Sequence, residues 1–252
     1  MSERSFQFFL QFHHGLPRQG PGSTESTAKA FRIIEPLLPP EPAILDVGCG
    51  GGAPTMALAG LTRGTILGVD RYPVFIDELR RKIAERGLGD RVTTLVADAR
   101  ALELSPESFD LIWSEGALGS IGFEQGLRTL RPLLRGPGVL AATEPAWLRP
   151  MDEVPDEVRQ FWADNYPAIA SVDEKFEQAR QAGYTPLGHF TLPDEDWAAY
   201  VGPLERHMNE VLAEHPGDPN AEEAARAERR EFEMFRNHLR DFGYVFFLMQ
   251  RS

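Results

Sequence analysis

The chain reads as an open α/β fold, a mostly parallel sheet of seven strands with helices on both faces and a helical insertion before the last strand. Three observations predict it. The stretch ILDVGCGGG, residues 44–52, is an apolar run that breaks abruptly into glycine and then into a compact helix. Further apolar runs at 65–69, 92–97, 109–114 and 139–143 alternate with helical segments, the pattern of parallel strands joined by crossover helices. Beyond Pro150 the alternation loosens, and 193–241 is a helical tract between the sixth and seventh strands. One domain is expected over 1–252, with N-terminal helices or a lid at 1–41, a core at 42–149 and a C-terminal half at 150–252 that carries the insertion.

At the start, Phe6, Phe8, Phe9, Leu10 and Phe12 mark a short aromatic helix that either packs as core or closes over a site, with His13 and His14 near its end. The segment LPRQGPG, residues 16–22, suits an irregular turn. It brings Arg18 and Gln19 close to a partner, for which a carboxylate is the natural choice; a solvated linker arginine is the equal alternative. Ser23 or Thr24 caps a helix to about Leu38, with Ala28, Phe31, Ile34 and Leu38 at helical spacing, and Pro39, Pro40 and Pro42 end it.

Ala43, Ile44, Leu45 and Val47 form a strand buried on both faces. Gly48, Gly50, Gly51 and Gly52 then permit positive φ and close approach of backbone to a ligand, before a helix over 53–61. Strand, glycine turn, helix is an opening that binds nucleotides, and Gly48, Gly50 and Ala53 also satisfy the dinucleotide spacing G-x-G-x-x-G/A. Asp46 argues otherwise, because a carboxylate two residues before the first glycine repels a pyrophosphate and attracts an ammonium or sulfonium. The second strand ends on Asp70, about 20 residues past the turn, where a carboxylate accepts both hydroxyls of a ribose. A helix over 74–86 buries Phe75, Ile76, Leu79 and Ile83, and the third strand ends on Asp98 and Ala99. Three acidic residues therefore close three successive strands.

With Asp46, Gly48 and Gly50 matching D-x-G-x-G, the chain resembles the class I S-adenosylmethionine-dependent methyltransferases, by motif over 42–143 and by topology beyond. The resemblance implies a Rossmann-like sheet and methyl transfer from S-adenosyl-L-methionine to a small-molecule oxygen, nitrogen or sulfur acceptor. It also implies that Asp98 accepts from the adenine amino group while a neighbouring backbone N–H, here at Ala99, meets a ring nitrogen. Asp46, Gly48, Gly50 and Arg18 would hold the methionine end. The LPRQGPG loop, the string Ser114-Glu115-Gly116-Ala117 and the insertion look like the bacterial type 11 or type 25 small-molecule group, whose acceptor is not defined in general.

Open α/β sheets bind ligands at the carboxyl ends of strands beside the switch in strand order. That point falls between the first and fourth strands, so Glu115 is expected near the transferable methyl as the candidate catalytic residue. The N-P-P-Y-like string of amino-directed methyltransferases of nucleic acid and glutamine is missing there, which counts against a planar amide or base amine. After a helix over 121–134, Gly136-Pro137-Gly138 resembles the family's L-x-P-G-G turn and leads to a fifth strand, then Glu144 and Trp147. Glu115 and Glu144 are expected to face one pocket as base, cation ligand or hydrogen-bond acceptor, or else to cap helices or pair with arginines. His14, Glu144, Trp147 and Trp197 are the candidate acceptor-pocket residues, and no metal site is expected.

Helices over 154–166 and 172–182 precede a sixth strand at 184–192, in which His189 reads as a packed residue. In the insertion Trp197, Tyr200, Val201, Leu204 and Met208 keep helical spacing through a break at Gly202 and Pro203. A second helix, 222–239, carries Phe232, Phe235 and Leu239 on one stripe and a solvated charged face. The insertion either caps the acceptor pocket or makes a homodimer contact. Residues 243–249 form the last, buried strand.

A net charge of −12 disfavours a nucleic-acid partner. No apolar run approaches the roughly 20 residues of a membrane helix, and the start has no basic n-region. Cys49 is the single cysteine and reads as a packing residue, so a reducing, cytoplasmic setting is expected. Two other functions use the same features. A nicotinamide-dependent oxidoreductase would need the glycine turn and Asp70 but not Asp46 or Asp98, and a non-catalytic adenosylmethionine-binding module would need them all.

Overall fold

Four of the five residues of β1 (Ala43–Val47) are buried, because the strand lies mid-sheet with β2 (Thr65–Asp70) on one side and β4 (Phe109–Glu115) on the other. The computed structural model describes residues 1–252. With β3 (Val92–Val96), β5 (Leu134–Trp147), β7 (Tyr184–Thr191) and β8 (Phe242–Arg251), the sheet order is β3-β2-β1-β4-β5-β8-β7. The first five of these strands pair in parallel, and β8 runs antiparallel between β5 and β7. The switch in order between β1 and β4 opens a crevice at their carboxyl ends.

Helices cover both faces. On one, α5 (Phe123–Leu130) and α7 (Val172–Gln181) bury Phe123 and Phe176 against Phe247. On the other, α2 (Thr24–Ile34), α3 (Ala53–Leu61) and α4 (Pro73–Glu85) bury Phe31, Leu58 and Leu79 against Ile44 and Ile66. A third cluster gathers α1 (Glu3–His13), α6 (Asp156–Asn165), α8 (Asp194–Glu214) and α9 (Pro219–His238) around Phe12, Trp162, Trp197 and Phe232. It sits over the end of β5, where Trp147 pairs with Phe242.

Three elements differ from expectation. β5 starts at Leu134 rather than after the Gly136–Gly138 stretch, because Leu134 already pairs with Phe109 and a register shift between Phe109 and Leu111 absorbs the irregularity. A two-residue strand, β6 (Ala170–Ser171), pairs with the far end of β5 and makes the sheet eight-stranded. α8 does not break at Gly202 and Pro203 but continues for 21 residues. A proline inside a helix costs about 3 kcal/mol; burial of Tyr200, Val201, Leu204 and Met208 along one face offsets it.

The charged face of α9 is not wholly solvated, since Glu228 is only 3% exposed. Burial, then the neighbouring Glu231 charge, pushes the Glu228 carboxyl above its ordinary range, and burial does the same to Glu231. Burial also raises Asp46 to about 7. An acid that holds its proton more tightly folded than unfolded contributes stability at low pH and loses it as pH rises through the folded value. His13 has the opposite sign, for burial lowers it from 6.5 to about 4, so it weakens the fold only below 6.5. Between 6.5 and about 8 the raised carboxyls lose their protons, and Tm is expected to fall as pH is raised across that window. Glu228→Gln should make that decline shallower. An unchanged slope in a thermal melt series would contradict the assignment.

Candidate active site

The glycine turn after β1 is tied to its neighbours by backbone. The N–H groups of Gly48 and Cys49 both donate to the Val69 carbonyl, at 2.8 and 3.0 Å. Gly50 N–H donates to Asp70 Oδ2 at 3.0 Å, and the other Asp70 oxygen accepts from Tyr72 N–H at 2.9 Å. Gly48 has φ +69°, which the left-handed region grants to glycine without strain. The turn is closed from outside by Gln19, whose Oε1 accepts from Gly51 N–H at 2.8 Å while its amide donates to the His13 and Leu16 carbonyls. The proline- and glycine-rich loop thus rests on the glycine turn.

A cavity of about 320 Å³ lies between them. Gly48, Gly50, Asp70, Asp98, Ala99, Arg18 and Glu115 all line it, so residues from the ends of β1, β2, β3 and β4 converge with the N-terminal loop. Asp70 is 9% exposed, and burial raises its carboxyl although the backbone donors of Tyr72 and Gly50 oppose the shift. Asp98 is more open, and the Arg100 guanidinium beside it holds its carboxyl well below the usual range. Asp46 does not line the cavity. It is fully buried behind the turn, where Oδ2 accepts from the Thr55 hydroxyl at 2.5 Å and Oδ1 has no partner. Cys49 is buried, and its thiol is pushed far up by that burial.

Glu115 is held by three donors. Trp113 Nε1 reaches Oε1 at 2.9 Å from two residues back on the same face of β4, and Thr27 Oγ1 reaches it at 2.7 Å from α2. Arg18 forms an ion pair with Oε2. Arg18 therefore has the carboxylate partner its chemistry calls for, supplied by the chain itself.

A second cavity, about 350 Å³, lies on the other side of the turn after β4, and Gly116 and Ser120 line both. Its walls include Glu144, Phe161, Trp162, Tyr166, Glu231 and Tyr244. Glu144 Oε2 accepts from Tyr166 Oη at 2.6 Å, and the buried Lys175 ammonium stands 3.7 Å from the same oxygen. Glu144 Oε1 has no partner.

A family model described as a methyltransferase domain matches residues 44–138. The chain is 32% identical to methyltransferase GfsG of Streptomyces halstedii over 59% of this chain and 61% of that one, so it spans less than two thirds of that relative. It is 27% identical to the 27-O-demethylrifamycin SV methyltransferase of Amycolatopsis mediterranei, over 80% of this chain and 79% of that one. Residues 44–138 are thus similar to a methyltransferase domain. The fold is shared with a solved S-adenosylmethionine-dependent methyltransferase from Geobacter sulfurreducens in complex with S-adenosyl-L-homocysteine. That structure is 21% identical, with a TM-score of 0.83 and 98% of each chain covered.

Several of the expected site residues lie elsewhere. Glu115 and Glu144 do not face one pocket. Glu115 pairs across the sheet with Thr143, so Glu144 is one residue out of phase and falls on the opposite face. His14 is exposed on the outer side beside Asp77 and Arg81, because α1 ends at His13 and it is His13 that turns inward to bond Tyr200. Trp147 and Trp197 are core residues that line neither cavity. Trp147 sits in the third cluster, and Trp197 packs on Phe235 with ring centroids 3.9 Å apart. The aromatic helix α1 joins both of its alternatives, with Phe8 and Phe12 in the core and Phe9 on the wall of the first cavity. Sequence reasoning missed Thr27, Trp113, Tyr166, Tyr244 and Glu231. Only Glu231 carried a signal, since it stands four residues before Phe235 and so beside the apolar stripe.

Proposed function

We propose that this chain transfers the methyl group of S-adenosyl-L-methionine to a small-molecule acceptor. The observation that carries this reading is the first cavity, where a glycine turn and two carboxylates stand on successive strand ends at the switch in strand order. The residues fit the donor. Each Asp70 oxygen accepts one backbone N–H and keeps a lone pair for a ribose hydroxyl. Asp98 and the Ala99 backbone flank the space for an adenine edge, with Tyr72 and Phe75 as apolar walls. Asp46, buried behind the turn with Oδ1 unpartnered and raised to about 7, would have its ionised form favoured by a cationic donor. A dinucleotide pyrophosphate would gain nothing from Asp46, and this disfavours the nicotinamide reading.

When bound, S-adenosylmethionine supplies an already activated methyl on a sulfonium. The chain's work is to align an acceptor with that methyl and to exclude water. Gln19 and Arg18 close the cavity from the N-terminal loop, and Glu115 positions Arg18. With three donors on its oxygens, Glu115 serves as an anchor more readily than as a base.

Thermal melts with S-adenosylhomocysteine and with NADH test the reading. A ligand at 100 times its Kd stabilises by about 2.7 kcal/mol, so the first should raise Tm clearly and the second not at all. Asp70→Asn should weaken S-adenosylhomocysteine binding by roughly tenfold or more in calorimetry, the loss of one charged hydrogen-bonding group. Equal binding by the variant would remove Asp70 from the site.

A further inference from the structure

We infer that the second cavity is the acceptor site and that the acceptor is a small amine, held between Glu144 and Glu231 against aromatic walls. The inference rests on the proposed methyl transfer and adds the class of its acceptor. Position comes first, because the Gly116–Ser120 turn is the shared wall between this cavity and the one assigned to the donor. A Cβ on Gly119 would stand 3.3 Å from the Tyr166 ring and 3.7 Å from Glu144 Oε1, so the bare backbone keeps that side of the cavity open.

Charge comes second. Two carboxylates line the cavity and no lysine or arginine does. Lys175 lies beneath, fully buried, and offsets Glu144 alone. Glu231 has no such partner, and Glu228 one turn away is another acid. An anionic acceptor, whether carboxylate or phosphate, would meet repulsion.

Unmet hydrogen bonding comes third. Glu144 is 0% exposed and its Oε1 has no hydrogen bond of good geometry, with only the Gly119 backbone N–H near its carboxylate, a deficit that an ammonium or amine N–H relieves. Phe161, Trp162, Tyr166 and Tyr244 supply aromatic walls, a lining that suits a cation. Burial raises both carboxyls, Glu231 to about 7, which makes each a better proton acceptor than an exposed carboxylate. In the transfer, the bound ammonium gives one proton to the Glu144 carboxylate, and the freed nitrogen pair forms the new N–C bond. The C–S bond breaks with its pair staying on sulfur, and the positive charge passes to the methylated ammonium.

The test uses the full chain with a panel of primary and secondary amines, each matched to the alcohol of the same skeleton, such as 2-phenylethylamine against 2-phenylethanol. With S-adenosylmethionine present, amines should be methylated and matched alcohols not. Glu231→Gln should raise KM for the amine at least tenfold while kcat changes less than threefold, with S-adenosylhomocysteine affinity unchanged. Glu231 is only part-buried on a surface helix, so circular dichroism can verify that the variant folds. Preferred methylation of alcohols, no amine accepted, or an unchanged KM in Glu231→Gln would overturn the inference while S-adenosylhomocysteine still binds. Failure to bind S-adenosylhomocysteine would instead overturn the methyl transfer itself, and the inference with it.

Discussion

Gly48→Ala is expected to lower affinity for S-adenosylhomocysteine by roughly 100-fold and to reduce Tm by several degrees. Gly48 holds φ +69°, and a non-glycine residue there costs about 1–2 kcal/mol. A new Cβ would also overlap that of Ala117, which follows the end of β4. Overpacking of this kind costs about 1–3 kcal/mol. Relief requires the turn after β1 and the turn after β4 to move apart, and these are two walls of the same cavity. Adding Ala117→Gly should restore part of the affinity by removing the overlap while the φ strain remains. Calorimetry on both variants decides it, and full binding by Gly48→Ala would mean that the turn does not approach the ligand.

The second large effect concerns Arg18 and Glu115, whose side chains are 13% and 5% exposed. Arg18→Met leaves a buried carboxylate with only Thr27 and Trp113 as donors. Breaking a buried pair costs about 3–5 kcal/mol, mostly from the charge left behind. Arg18→Met should therefore destabilise the fold by about 3 kcal/mol in urea denaturation, near the low end because two donors remain. The double variant with Glu115→Gln should recover most of that loss. If Arg18 also contacts the donor's carboxylate, S-adenosylhomocysteine affinity should stay low in the double variant although stability returns. A single variant as stable as the double one would contradict the buried-pair account.

Much of this arrangement is visible in the residues themselves. Helix Ala53–Leu61 and the strand before it follow from apolar periodicity and a glycine break, both local properties of the chain. The ends of β1, β2 and β3 were legible for the same reason, since each apolar run has an aspartate, Asp46, Asp70 or Asp98, within two residues of its last strand position. Whether Glu115 and Glu144 share a face depends on the register between β4 and β5, and the irregularity between Phe109 and Leu111 hides that parity from any count along the chain. Trp147 and Trp197 illustrate another blind spot, because helical and strand spacing says that a side chain turns inward but not which interior it enters.

The sequence by itself determined the glycine turn, the acidic strand ends and the alternating α/β order, because each arises from backbone freedom and side-chain periodicity within a few residues. Only the tertiary structure decided that Arg18 meets Glu115, and that Glu144, Tyr166 and Glu231 gather around one cavity. Those partners lie up to 97 residues apart in the ion pair, and their meeting is set by strand register and the docking of α6 and α9, which no local pattern encodes.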